Sequence, residues 1–161
     1  MNTLYVLVGG NMGNRRENLE KALSWLEKEI GMVTKSSSIY ETEAWGNNAQ
    51  PDFYNQAHII DTKLSAIEAM KNILEIEQKM GRVRTLKNAA RLIDIDILFF
   101  NVEVINEPGL IVPHPEIANR RFVLAPLNEL SPDLIHPFLH KSIHQLLSTC
   151  EDSLEVTPVT G

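Results

Sequence analysis

A strand, a helix, two strands, a second helix and a further strand follow one another from the N-terminus through Phe100, and that order predicts an α+β fold. The arrangement expected is a ferredoxin-like, split βαβ sandwich: a mostly antiparallel sheet with helices on one face and C-terminal additions. Three observations carry the reading. Short apolar segments near 3–8, 53–62 and 92–100 have strand length, apolar residues near 15–30 and 65–80 recur at helical spacing, and a capping signal precedes each helical stretch.

Residues 3–8 read as a buried strand, after which "GGNMGN" (Gly9 to Asn14) turns the chain into a helix. In that helix Leu19, Ala22, Leu23, Leu26 and Ile30 share a face, Asn14 and Glu17 resemble a capping box, and Gly31 supplies the stop. A strand over about 32–42, the turn-rich "WGNNAQPD" (Trp45 to Asp52) and a strand from Phe53 to about Thr62 follow. Ser65 and Glu68 open a helix to about Met80, with Met70, Ile73 and Leu74 as its buried stripe. Glu77 continues the stripe, either as a helix end reaching solvent or as part of a site. Beyond a cationic loop come the strand 92–100, a hairpin back through Val102 to Ile105, the Pro-bounded "IVPHPEIANRRFVLAPL" and a last helix near 141–149. No repeat, low-complexity tract or linker divides the chain, so 1–161 reads as a single domain.

Composition narrows the class. Apolar residues make up 43% and charged residues 22% of the 161, the balance of a globular protein rather than a disordered one. One cysteine, Cys150, cannot form an internal bridge, which points to a reducing, cytoplasmic setting. The run "LYVLV" is too short for a membrane span and lacks the flanks of a signal peptide. A net charge of −6 argues against a general nucleic-acid binder. Yet no acid falls between Glu77 and Asp94, where Lys79, Arg82, Arg84, Lys87 and Arg91 all lie. An acidic chain with one cationic segment suits a small polyanionic ligand, although charge alone fits a solvated basic loop as well.

The central oddity is "ARLIDIDILFF", Ala90 to Phe100, an apolar strand with two acids in it. Alternation places Asp94 and Asp96 on one face with Leu92 and Leu98, about 6.6 Å apart along the strand. Two carboxylates on a half-buried face repel each other and need a countercharge. Magnesium qualifies, being held by carboxylates together with substrate phosphates; so does simple pairing with Arg82, Arg84 or Arg91. Arginines upstream, with metals on the carboxylates, would surround a triphosphate from two sides, the equipment of phosphoryl transfer. "NRRF" adds Arg120 and Arg121, and "VPHP" holds His114 in a stiff turn. "GGNMGN" lacks the Lys-Ser/Thr of a P-loop, and His140 with His144 lacks a third ligand for zinc.

The stretch "KNAARLIDIDIL", Lys87 to Leu98, resembles the signature of the 6-hydroxymethyl-7,8-dihydropterin pyrophosphokinase family. The likeness extends through "VGGNMGN", "IYET", "QPDFYNQA", "EQKMGRVR", "VPHP" and "NRRF", in order. It implies transfer of a pyrophosphoryl group from ATP to the hydroxymethyl oxygen of a dihydropterin, releasing AMP, with two Mg²⁺ ions. By position, Asp94 and Asp96 match the metal ligands. Arg82, Arg91, His114 and Arg120 match phosphate contacts; Arg84 and Lys87 stand on a mobile loop, and Glu77 and Ile97 also fall on the ATP side. The resemblance gives the pterin side Thr42, Ala44, Trp45, Asn55, Asp94 and the sandwiching pair Phe53 and Phe122. Phe53 and Asn55 are two apart in a strand, so they share a face. The expectation is a cytoplasmic monomer acting on two small molecules, with no nucleic-acid or membrane partner and with 44–52 and 82–91 as lids that exclude water.

Overall fold

The computed structural model describes residues 1–43, 50–81 and 92–159. Among these the order is β1 (Asn2–Gly10), α1 (Arg15–Glu29), β2 (Gly31–Ser36), β3 (Tyr40–Thr42), β4 (Phe53–Thr62), α2 (Ala66–Lys79) and β5 (Asp94–Phe100). Then come β6 (Ile105–Glu107), β7 (Leu110–Val112), a 3-10 turn (Ile117–Asn119), α3 (Arg121–Leu130), α4 (Ile143–Ser148) and β8 (Val156–Pro158). The main sheet runs β5-β1-β4-β3-β8, with β2 also paired to β4, and every one of these pairings is antiparallel. Counting β2 and β3 as one interrupted strand gives the strand order of the split βαβ unit, as expected.

Local chemistry explains where the elements depart from expectation. The single strand over 32–42 is two, because Ser37 leaves the ladder: its N–H donates to the Ala57 carbonyl and its Oγ accepts from the Ala57 N–H, both at 2.9 Å. Gly31 does not stop α1, which ends at Glu29 with Ile30 as its C-cap. It opens β2, where a Cβ would run into the Asp61 backbone carbonyl on β4, so glycine serves a close strand approach. Asn14 caps α1 by accepting the Glu17 N–H at 3.0 Å. The Ser65–Glu68 box on α2 is reciprocal, as read from sequence. Its buried stripe is rotated from the expected one: Ala66, Ala69, Ile73, Ile76 and Glu77 are inside, whereas Leu74 is 36% exposed.

The sheet separates two apolar cores. One holds Leu4, Val6 and Val8 of β1 with Leu19 and Leu26 of α1 and Ile73 and Ile76 of α2. The other holds Leu7, Ala57, Leu98 and Phe99 with Val123, Leu124 and Leu127 of α3 and Ile143 and Leu146 of α4. Helices therefore cover both faces, not one. The reason is α3, absent from the sequence reading: Pro126 argues against a helix, yet it lies in the second turn and is buried. Leu98 has no partner on β1, a bulge between Ile97 and Phe99. It turns Phe100 into the first core, although alternation would keep that residue on the Asp94 face. After β5 the chain does not fold back on it through Val102, which is exposed; β6 and β7 instead pair with each other.

Candidate active site

Residues 7 and 9 of β1, 53, 55 and 57 of β4, and 94 and 96 of β5 point toward the second core's side of the sheet. The register sets Asp94, Gly9 and Asn55 side by side across three strands, and Asp96, Leu7 and Ala57 in the next row. Ala57 and Leu7 are covered by the second core. Beyond them a cavity of about 400 Å³ opens. Leu7, Gly9, Asn55, Asp94 and Asp96 line it from the sheet, together with Phe53, Thr42 and Glu43. The segment before and into α3 adds Glu116, Asn119, Arg120 and Phe122, and the C-terminal tail adds Asp152. Of the residues expected from sequence, Thr42, Phe53, Asn55, Asp94, Asp96, Arg120 and Phe122 are thus brought together.

Gly9 makes the row possible. A Cβ there would collide with Asn55 Oδ1 and meet Asn55 Cγ at 3.1 Å and the Tyr54 carbonyl at 3.2 Å. The missing side chain lets the Asn55 amide, on a residue only 6% exposed, lie over β1. Thr42 is buried, and its Oγ1 has no hydrogen-bond partner among the described residues. Such an atom is costly to leave bare and suits a polar ligand edge. The Arg120 guanidinium lies 5.6 Å from the centre of the Phe122 ring, so a cation and an aromatic face neighbour each other at the cavity.

Glu77, His114 and Ile97 do not line this cavity. Glu77 is 2% exposed, and its Oε2 accepts the Ile95 N–H at 2.8 Å. Among the described residues β5 is the edge strand, so this carboxylate does for Ile95 what a further strand would do. Neither sequence alternative for Glu77 anticipated that task. Ile97 packs in the first core. His114 follows the cis Val112–Pro113 bond; its N–H donates to the Leu98 carbonyl at 3.0 Å and its Nδ1 accepts the Glu116 N–H at 3.1 Å. Burial, and then Arg120, hold its pKa below the ordinary histidine value, against the opposing pull of Glu116 and Asp94. The ring is thus neutral near pH 7, with Nε2 as its remaining donor. Ala44, Trp45, Arg82, Arg84, Lys87 and Arg91 lie outside the described residues.

Part of the first expected lid is visible. Asn11 Nδ2 donates to Gln50 Oε1 at 2.9 Å and to the Pro51 carbonyl at 3.0 Å. Arg15 pairs with Glu41 at 2.8 Å, donates to the Asp52 carbonyl at 2.8 Å and lies 3.9 Å over the Tyr54 ring. Residues 50–52 are therefore tied to the start of α1. The remainder of 44–52, and all of 82–91 itself, lie outside the described residues.

The described lining residues include the acids Glu43, Asp94, Asp96, Glu116 and Asp152 and the cation Arg120. No group of three or more acidic, histidine or cysteine side chains poised for a metal occurs among the described residues. Asp94 and Asp96 form a two-carboxylate donor set, which suits a hard cation completed by water and phosphate oxygens. Leu7, Gly9, Glu43, Glu116, Asn119 and Asp152 were not foreseen. A glycine ending a buried strand was a usable signal for Gly9; for Asp152, far along the chain, there was none.

Comparison with known proteins identifies the family. The family model for 7,8-dihydro-6-hydroxymethylpterin-pyrophosphokinase (HPPK) matches residues 5–132. The 2-amino-4-hydroxy-6-hydroxymethyldihydropteridine pyrophosphokinase of Bacillus subtilis is 42% identical over 130 residues, covering 80% of this chain and 78% of its own length. That of Aquifex aeolicus is 38% identical over 145 residues, 90% of each. The folic acid synthesis protein fol1 of Schizosaccharomyces pombe is 39% identical over 144 residues, 89% of this chain but 20% of the yeast protein. The chain thus spans about a fifth of that longer relative. A crystal structure of Plasmodium falciparum HPPK-DHPS with pteroate superposes with a TM-score of 0.77 over 91% of this chain and 42% of that one; at 19% identity it speaks for the fold alone. A family match over most of the chain, joined to the aspartate pair set beside Asn55, places this protein in the 7,8-dihydro-6-hydroxymethylpterin-pyrophosphokinase family.

Proposed function

We propose that the chain transfers a pyrophosphoryl group from ATP to 6-hydroxymethyl-7,8-dihydropterin, a step of folate biosynthesis. The observation that supports this is the row Asp94–Gly9–Asn55, in which only the glycine of β1 separates a carboxylate on β5 from an amide on β4. The pterin ring lies between Phe53 and Phe122, with its amidine edge on Asn55 and a polar edge toward Thr42. Burial of that edge between two aromatic faces fixes the hydroxymethyl arm toward Asp94. In the transfer the hydroxymethyl oxygen bonds to the β-phosphorus while the bond from that phosphorus to the α,β-bridging oxygen breaks. AMP leaves with the bridging oxygen, and the alcohol proton passes to solvent water.

Asp94 and Asp96 would hold two Mg²⁺ ions, which when bound neutralise the triphosphate and polarise the phosphoryl oxygens. Arg120 and neutral His114 would donate to phosphate oxygens from the other side; the family resemblance adds Arg82, Arg84, Lys87 and Arg91 to the cationic surround and Glu77 and Ile97 to the ATP side. No helix among the described residues is long and apolar enough to cross a membrane. A cytoplasmic monomer, handling small molecules only, fits this picture. The test is a product assay: phosphorus NMR of the protein with ATP, Mg²⁺ and the dihydropterin should give AMP and a pterin diphosphate in equal amounts. ADP with a pterin monophosphate, or free inorganic pyrophosphate, would overturn the proposal.

A further inference from the structure

The C-terminal tail lies beyond residues 5–132, yet it reaches the cavity. From Cys150 it runs to β8, which pairs with β3 at the edge of the sheet. On the way Asp152 uses both carboxylate oxygens: Oδ2 accepts the Arg121 N–H and Oδ1 the Leu154 N–H, each at 3.0 Å. Arg121 answers with its side chain. Nη2 donates to the carbonyls of Cys150 at 3.0 Å and Asp152 at 3.1 Å, and Nε to the Asp152 carbonyl at 3.3 Å.

This clasp sits where α3 begins. The helix starts at Arg121, and its own N-cap residue, Arg120, makes no side-chain capping bond. A first-turn N–H, which a helix cannot satisfy internally, is therefore taken by a carboxylate from the tail. The next residue is Phe122, which lines the cavity. Arg120 is held by other means: its N–H donates to the Ile117 carbonyl at 3.4 Å, and its carbonyl accepts from Val123 and Leu124, each at 3.1 Å. Loss of the clasp frees the Arg121 N–H and with it the backbone that carries Phe122, whose ring then rests on its packing against the second core and the Arg120 guanidinium. The clasp also explains why, of the paired arginines in "NRRF", only Arg120 lines the cavity.

We propose that Asp152 and Arg121 are positioning residues for the aromatic wall of the pterin pocket, so that the C-terminal tail is part of its construction. This rests on the pterin reading of the cavity given above. The experiment is fluorescence titration of the full chain with 6-hydroxymethylpterin, beside calorimetry with the Mg²⁺ complex of α,β-methylene-ATP. Asp152→Ala is expected to weaken pterin binding about tenfold, the scale of one misplaced aromatic stack, with nucleotide affinity changed less than twofold. Asp152→Asn, which keeps one acceptor, should recover most of the loss. Arg121→Lys, which loses the planar fork, should show the same selective loss and serves if Asp152→Ala does not fold. Arg121→Lys with Asp152→Ala should be no worse than the weaker single variant, because both break one clasp. If the wild type binds no pterin, the pterin reading fails and takes this inference with it. If the wild type binds and the variants bind as tightly, or lose pterin and nucleotide affinity in equal proportion, the inference alone is overturned.

Discussion

Adding one methyl group at Gly9 tests the construction of the site without touching a charge. In Gly9→Ala the new Cβ cannot share space with Asn55 Oδ1, and the Tyr54 carbonyl at 3.2 Å blocks a simple retreat, so the Asn55 amide must swing off β1. Gly9 is not among the residues of positive φ, and alanine is tolerated in a strand, so the backbone itself carries little of the cost. What is lost is the amide's grip on the heterocycle. Two neutral hydrogen bonds at about 0.5–1.5 kcal/mol each amount to roughly 1–3 kcal/mol, or about 5- to 150-fold in Kd. Fluorescence titration with 6-hydroxymethylpterin should show that loss, while affinity for an ATP analogue with Mg²⁺ stays within about twofold of wild type and thermal unfolding remains cooperative. Because the methyl acts through Asn55, Gly9→Ala combined with Asn55→Ala should bind no worse than Asn55→Ala alone. Wild-type affinity in Gly9→Ala, or losses that multiply in the double variant, would refute the reasoning.

Three further outcomes follow. Asp96→Ala should keep the fold, judged by circular dichroism, and lower turnover by at least about 10²–10³, the scale of one preorganised electrostatic group; near-normal turnover would remove Asp96 from the chemistry. Glu77→Ala should lower stability to denaturant by about 1–3 kcal/mol because the Ile95 N–H on the open edge loses its acceptor, whereas Glu77→Gln, which keeps one, should lose less; equal loss in both would contradict that role. His58 is fully buried, with Nδ1 2.7 Å from Ser36 Oγ and Nε2 without a partner among the described residues, and burial brings its pKa from 6.5 down to about 4. The unfolded chain then takes up the proton first, so His58's contribution is complete above pH 6.5 and is lost as pH falls toward 4, at up to about 1.4 kcal/mol per pH unit. Denaturant melts at pH 7.5, 6 and 5 should show a shallower decline for His58→Gln than for wild type; parallel declines would contradict the assignment.

Much of this fold was legible because its signals are local. The Ser65–Glu68 box, the Asn14 cap and the run from Phe53 to Thr62 depend on neighbours in the chain, and each appears where periodicity and capping put it. What escaped depends on partners far away. Ser37 breaks a strand by bonding Ala57, Gly31 exists for the Asp61 carbonyl, and α3 survives Pro126 because Val123, Leu124 and Leu127 find an apolar sheet face to cover. In the site, strand alternation alone put Asp94 with Asp96, and Phe53 with Asn55, on a shared face, while the place of Phe53 and Asn55 in the site came from the family resemblance. Their juxtaposition across β5, β1 and β4 did not follow from alternation, since register is a property of the sheet. Glu77 shows the difference most clearly: its place on the buried stripe was readable, but its partner, a backbone N–H on a strand eighteen residues on, was not.

The most direct test of what Asp94 and Asp96 are for is electron paramagnetic resonance of Mn²⁺ titrated into the protein with α,β-methylene-ATP present. Wild type should bind two Mn²⁺ per chain, and the paired variant Asp94→Asn/Asp96→Asn, still folded, should leave that Mn²⁺ in solution as its complex with the nucleotide. A folded paired variant that binds as many ions as tightly as wild type would contradict the assignment of these carboxylates to the cations and, with it, the chemistry built on them.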